Sequence, residues 1–261
     1  MKKELFEFQH VFKFIGGHKA LRNLSLRLYQ NELTFLVERS GSGRSVLTRV
    51  MMGELTPDSG TMKLLEEPYQ PLSPEQAHER GIFCVTQDTT LIQNLSISEN
   101  IYISKPLSPV WLRGQSKAFV QMICRECGIQ MDLLQRTTQV PLIDTLLVYC
   151  LRALLTRARL LILDNLLYLL SEEDIGLLFQ KLRLLKKRGV GILIIEAGAR
   201  YALRYGDRTL FFSRGRISAD FMRGECSAEQ ANLLLNREQP VPADGFREGS
   251  EPVLTRDFFY P

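Results

Sequence analysis

Residues 33–51, LTFLVERSGSGRSVLTRVM, decide how the rest of the chain is read. LTFLV is a short apolar run of the kind that forms a buried strand. SVLTRVM places Val46, Leu47, Val50 and Met51 at helical spacing. Strand, glycine-bearing loop and helix form the setting of the pattern G-x-x-x-x-G-K-[ST], whose backbone N–H groups cradle phosphate. Gly43 and Ser45 fit that pattern, but Glu38 stands where its first glycine belongs and Arg44 where its lysine belongs.

Outward from this loop, the composition is that of a folded protein. The chain has 261 residues, 45% hydrophobic and 24% charged, enough for one large domain or two small ones. A net charge of +4 without a clustered basic face argues against a nucleic-acid partner. The densest basic run, KLRLLKKR at 181–188, reads as the solvated face and end of an amphipathic helix. Cysteines at 84, 124, 127, 150 and 226 are odd in number and irregularly spaced, so no disulfide framework is implied. The C-x-x-C of Cys124 and Cys127 reads as two small apolar residues on a helix. The start, MKKELFEFQHVFKF, alternates as a strand does and lacks the apolar stretch of a leader peptide. The most apolar region, 142–170, is broken by Asp144, Arg152, Arg157, Arg159 and Asp164. It falls short of the ~18–20 uninterrupted apolar residues of a membrane span. These readings predict a reduced, cytoplasmic protein with no direct membrane insertion.

Along the chain, strands are expected at 5–14, 24–29 and 33–37, and again after the TPDSG turn at 56–60. Ser73-Pro74 opens a helix, with serine as cap and proline in the first turn. GIFCV, LLILD and GILII have the look of fully buried parallel strands. Helices are expected over 114–135, 142–158, 172–188 and 227–236, and TLFFSRGRI is a strand pair with an Arg-Gly turn. From residue 238 the composition turns to proline, glycine and charge, which predicts a disordered tail.

Alternating strands and helices around a phosphate loop predict an α/β nucleotide-binding fold. The order of landmarks resembles the ATP-binding subunits of ABC transporters over residues 3–237, closest to the branch serving sugar importers. The resemblance is carried by KFIGGHKALRNLSLRL, TPDSG, SPEQAHERGIFCVTQDTTLIQNLSISENIYI, ARLLILD, YGDRTLFFSRGRI and RGECSAEQANLLLNRE. In that branch two cassettes are often fused in one chain, and here one is followed by a short tail. The resemblance implies a P-loop NTPase of ABC type. Its parts are a mixed β core, an N-terminal antiparallel β subdomain and a helical subdomain over about 96–158.

The resemblance also implies a site. Ser40, Gly41, Ser42, Gly43, Arg44, Ser45 and Val46 would hold the nucleotide. Ser45, Gln87 and Asp164 would hold Mg²⁺, making ATP and Mg²⁺ the implied cofactors. The departures are as informative. Arg44 keeps a charge but replaces a compact ammonium with a planar fork. Glu38 brings a carboxylate that either points away or pairs with Arg39 or Arg44. Ile15, with Phe14 beside it, occupies the place of the adenine-stacking aromatic. Asn165 stands where a glutamate polarises water, and Ala197 where a switch histidine meets the γ-phosphate. VPLID at 140–144 replaces the small-residue signature, and LLYLLS replaces a small polar loop.

No catalytic residue is therefore assigned. The resemblance implies a pseudo-ATPase that binds ATP weakly and serves as a regulatory or accessory subunit of a sugar-type transport system. Its expected partners are another cassette or an integral membrane permease, at the inner face of the membrane. An ATP-hydrolysing importer subunit is the alternative. A second alternative is an interaction module without nucleotide, with Leu167, Tyr168 and Leu169 as contact surface.

Overall fold

The first 64 residues are largely strand: β1 (Glu4–Ile15), β2 (His18–Tyr29), β3 (Leu33–Glu38) and β4 (Ser59–Leu64). These belong to a computed structural model that describes residues 2–38, 43–102, 113–137 and 140–236. Helix α1 (Arg44–Met51) lies between β3 and β4, and β5 (Glu67–Pro68) follows. Then come α2 (Pro74–Glu79), β6 (Ile82–Val85), α3 (Ile97–Tyr102), α4 (Arg113–Glu126) and α5 (Leu142–Leu155). The last part holds β7 (Leu160–Asp164), α6 (Glu172–Lys187), β8 (Gly191–Glu196) and α7 (Arg200–Tyr205). It closes with β9 (Arg208–Ser213), β10 (Arg216–Met222) and α8 (Ala228–Asn236).

Two sheets result. One is antiparallel, in the order β2-β1-β4-β5; the other has the order β10-β9-β3-β8-β7-β6. From β9 to β6 the second sheet is parallel, and β10 pairs antiparallel with β9. Period-two alternation divides its central strands between two cores. Phe35, Val37, Leu161, Leu163, Ile192 and Ile194 face the cluster that includes residues of α5, α6 and α7. Leu36, Leu160, Ile162, Leu193 and Ile195 face the cluster built with β1, β2 and α1. A sheet covered on both sides needs apolar residues at successive positions, which explains the unbroken runs LLILD and GILII.

A third cluster joins α3, α4 and α5 through Ile97, Ile101, Val120, Ile123, Leu147 and Leu151. Buried Arg152 ties α5 to α3, its Nε donating to Asn100 O at 2.6 Å. The ABC-type mixed α/β architecture read from the sequence is the one observed, with several corrections. Helix 114–135 is shorter than expected, because α4 ends at Glu126 and Gly128 turns the chain at φ +58°. Lys181 Nζ donates to the carbonyls of Cys127 (3.0 Å) and Gly128 (2.7 Å) at that turn. Lys181 is thereby buried, so the basic run 181–188 is not wholly a solvated face. Its remaining charges do lie near the end of α6, with Lys186 paired to Asp207 at 2.7 Å. The sequence reading missed α3, α7, β5 and a 3-10 turn at Leu167–Leu169. All are six residues or fewer, too short for periodicity to register. Ser73 caps α2 as expected, accepting from Gln76 N. The five cysteines are free. Among the described residues no helix is long and apolar enough to cross a membrane. Residues 237–261 lie outside the described residues.

Candidate functional site

The carboxyl ends of β3, β7 and β8 lie side by side, in register at Val37↔Glu196 and Asp164↔Ile195. Parallel strands deliver their loops to one edge, and that edge is where α/β folds place ligands. Ser40, Gly41 and Ser42 fall outside the described residues. Gly43 caps α1 at φ +105°, a left-handed conformation, and a Cβ there would come within 2.5 Å of Ala20 O. The backbone of Arg44 opens the helix, Ser45 is exposed and Val46 is half-buried. Val46 and Leu47 donate their N–H groups to Gly43 O.

Ser45, Gln87, Asp164 and Asn165 line one cleft of about 490 Å³, together with Thr48 and Thr86. Thr48 Oγ1 donates to Asp164 Oδ2 at 3.2 Å, tying the middle of α1 to the end of β7. Hydroxyl, amide and carboxylate oxygens are the donors that a hard cation such as Mg²⁺ takes, so these residues fit that ion. Cys84 borders the cleft, and its thiol is held neutral by burial and by the carboxylates of Asp164 and Glu54.

Asn165 is held by its backbone. Its φ is +54°, its N–H donates to Ile195 O at 2.8 Å, and its carbonyl accepts from Gln87 Nε2 at 3.0 Å. Asparagine tolerates the left-handed region better than most side chains. Ala197 is exposed two residues beyond Ile195 and offers a methyl group. Neither side chain can accept a proton from water.

Two acids complete the edge. Glu38 is buried at 1% exposure, so its carboxylate is folded into the sheet end instead of facing solvent. Glu196 was overlooked in the sequence, although a carboxylate ending the apolar run GILII was the available signal. It is also buried, and its Oε1 accepts the N–H groups of Leu166 (3.0 Å) and Leu167 (2.8 Å). Glu196 thereby fixes the chain just after Asn165. This places Leu167 in the core, so it is no contact surface, while Tyr168 and Leu169 are exposed as expected.

VPLID meets the start of α5. Pro141 is the N-cap without a side-chain cap bond, and Leu142 and Ile143 pack, partly buried, against the core. Burial and neighbouring Asp174 hold the Asp144 carboxyl above its usual range. At the hairpin tip, Phe14 and Ile15 are both exposed.

The family model described as ABC transporter matches residues 21–167, more than half of the chain. The chain belongs to the ABC transporter family. It is 29% identical over 238 residues to "Ribose import ATP-binding protein RbsA 1" of Mesorhizobium japonicum, covering 90% of this chain and 46% of that one. A protein of Enterobacter sp. (strain 638), "Autoinducer 2 import ATP-binding protein LsrA", is 31% identical over 192 residues, covering 74% and 38%. This member of the family thus spans about half the length, or less, of the curated relatives it matches. Among solved structures it resembles a nucleotide-free ATP-binding cassette from an ABC transporter. The TM-score there is 0.74 at 21% identity, covering 89% of this chain and 95% of that one. The ADP conformation of the cassette MJ1267 gives a TM-score of 0.73 at 21% identity, covering 89% and 94%.

Proposed function

We propose that this ABC family member binds Mg-ATP weakly, without efficient hydrolysis, as a regulatory or accessory subunit of a sugar-type transport system. The supporting observation is the pairing of a retained cleft with a vacated base position. Ser45, Gln87 and Asp164 converge on one cleft, while Asn165 beside them presents an amide pinned by its own backbone. ATP bound there has Mg²⁺ to screen its phosphate charge. In this reading Ser40 to Val46 cradle the phosphates, with Ser45, Gln87 and Asp164 as cation ligands. Loss of a positioned base typically slows such chemistry by ~10²–10⁴. Ala197 and the apolar start of α5 remove two further contacts that the family makes to phosphate. The partner would be a membrane permease or a second cassette, reached from the cytoplasmic side.

The names of the relatives favour a second reading, an ATP-hydrolysing subunit for import of ribose or a similar solute. One experiment separates the two. Mg-ATP is titrated into the purified protein while melting temperature and phosphate release are followed. Binding to the native state raises the melting temperature. A rise with phosphate release at background supports the proposal. Steady turnover abolished by Asp164→Asn would overturn it in favour of the importer subunit. No rise at millimolar Mg-ATP would favour a contact module using Tyr168 and Leu169.

A further inference from the structure

Away from the nucleotide cleft, three arginines surround a small cavity at the turn between β9 and β10. Arg22, Asn23, Arg214 and Arg216 line about 290 Å³, and no carboxylate is among them. Arg22 Nε donates to Lys19 O, and none of the three arginines has an acidic partner among the described residues. Several of the chain's other basic residues are paired. Arg208 is held by Asp220 at 2.6 Å, Arg27 by Glu7 at 2.7 Å, and Lys186 by Asp207 at 2.7 Å. Three like charges at one cavity repel one another, and nothing in the lining offsets this.

The backbone supplies an independent observation. Ser213 pairs with Arg216, so Arg214-Gly215 is a two-residue hairpin loop, with φ of +47° and +79°. Such a loop favours Asn-Gly or Asp-Gly, because both central residues lie in the left-handed region. Arginine has no short polar side chain to ease that conformation, so the loop keeps a residue that weakens it. A departure from local preference without a packing reason is what a functional position looks like. Arg214 is exposed, so packing does not supply one.

The scaffold is rigid. Arg22 N donates to Gly215 O at 2.8 Å, locking β2 to the turn. Asn23 is fixed by its own bond to His10 Nδ1 at 2.9 Å. A Cβ on Gly215 would come within 2.4 Å of Ala20 O, the same carbonyl that limits Gly43 to 2.5 Å. The arginine turn therefore backs onto the start of α1 while opening on a cavity of its own. Guanidinium groups recognise planar arrays of anionic oxygens through paired N–H donors.

We propose that Arg22, Arg214 and Arg216 form a binding site for a polyphosphate-type anion, separate from the nucleotide cleft. The inference does not depend on whether the cleft binds or hydrolyses ATP. Tripolyphosphate is titrated calorimetrically into the full chain, with sulfate at matched ionic strength as control, and again in saturating Mg-ATP. The expected result is binding of tripolyphosphate, not of sulfate, that persists with Mg-ATP present. Arg22→Gln combined with Arg216→Gln should weaken it at least tenfold. Arg214→Asn should weaken it severalfold while raising the melting temperature, since the turn then carries a residue it prefers. Circular dichroism and melting curves establish that each variant is folded. Failure of tripolyphosphate to bind, equal affinity in the variants, or complete displacement by Mg-ATP would each overturn the proposal.

Discussion

Helices α1 and α5 both start beside the apolar cores, and they open on contrasting residues. At α1 the cap is Gly43, left-handed and closed against Ala20, followed by exposed Ser45. At α5 the cap is Pro141, followed by Leu142 and Ile143, which pack against the apolar core. A helix N-terminus attracts anions only where its N–H groups can be reached. The contrast shows that the dipole of a helix is common to both ends, whereas access to it is set by two or three side chains.

The largest expected effect comes from closing α1 in the way that α5 is closed. Gly43→Ala places a Cβ against Ala20 O in a left-handed conformation, and a stability loss of roughly 2–4 kcal/mol is expected. Urea unfolding measures it. An unchanged midpoint would mean that the start of α1 accepts a side chain as readily as α5 does.

Glu196→Ala comes next, because it strips the N–H groups of Leu166 and Leu167 of a buried acceptor. A loss of about 2–3 kcal/mol is expected, with Glu196→Gln losing less because it keeps an acceptor oxygen. Equal losses would show that the charge, not the acceptor, holds this loop.

A smaller effect is expected near the end of β1. Asp58 accepts from Lys13 Nζ (2.8 Å) and from Phe14 N (2.6 Å), and these bonds hold its carboxyl below its usual value of 3.8. With the folded value depressed, its contribution is present above pH 3.8 and lost as pH falls through the folded value. The effect is shallow because the pair is exposed. Asp58→Asn should flatten that part of the stability–pH curve, and melting temperatures from pH 2 to 6 test it.

The smallest expected effect is none. Arg44→Lys, Asn165→Glu and Ala197→His combined should leave phosphate release at background while Pro141, Leu142 and Ile143 remain. Groups that act as a unit are not rescued piecemeal. Turnover in that triple variant would break the comparison, by showing that the start of α5 is dispensable.

Much of the frame could be read in advance. The runs at 33–37, 160–164 and 191–195 have no competing periodicity, and each became a central strand. Ser73-Pro74 and Gly215 of the hairpin loop are local signals, and both sit where their chemistry put them. Residue type singled out Ser45, Gln87 and Asp164, and the fold brings these three to one cleft. The site was not legible where it depends on what lies opposite. Lys181 looked like a surface charge until the turn at Gly128 came against it, and Leu167 looked like a contact residue until Glu196 drew its backbone inward.

The sequence by itself determined the alternation of strand and helix and the cassette family, because those follow from residue identity and order along the chain. Tertiary structure alone decided that Glu196 anchors the loop after Asn165, that Glu38 is buried, and that Arg22 meets Arg214 and Arg216. The reason is physical: each depends on strands distant in the sequence ending at one place, and burial and electrostatics act through space.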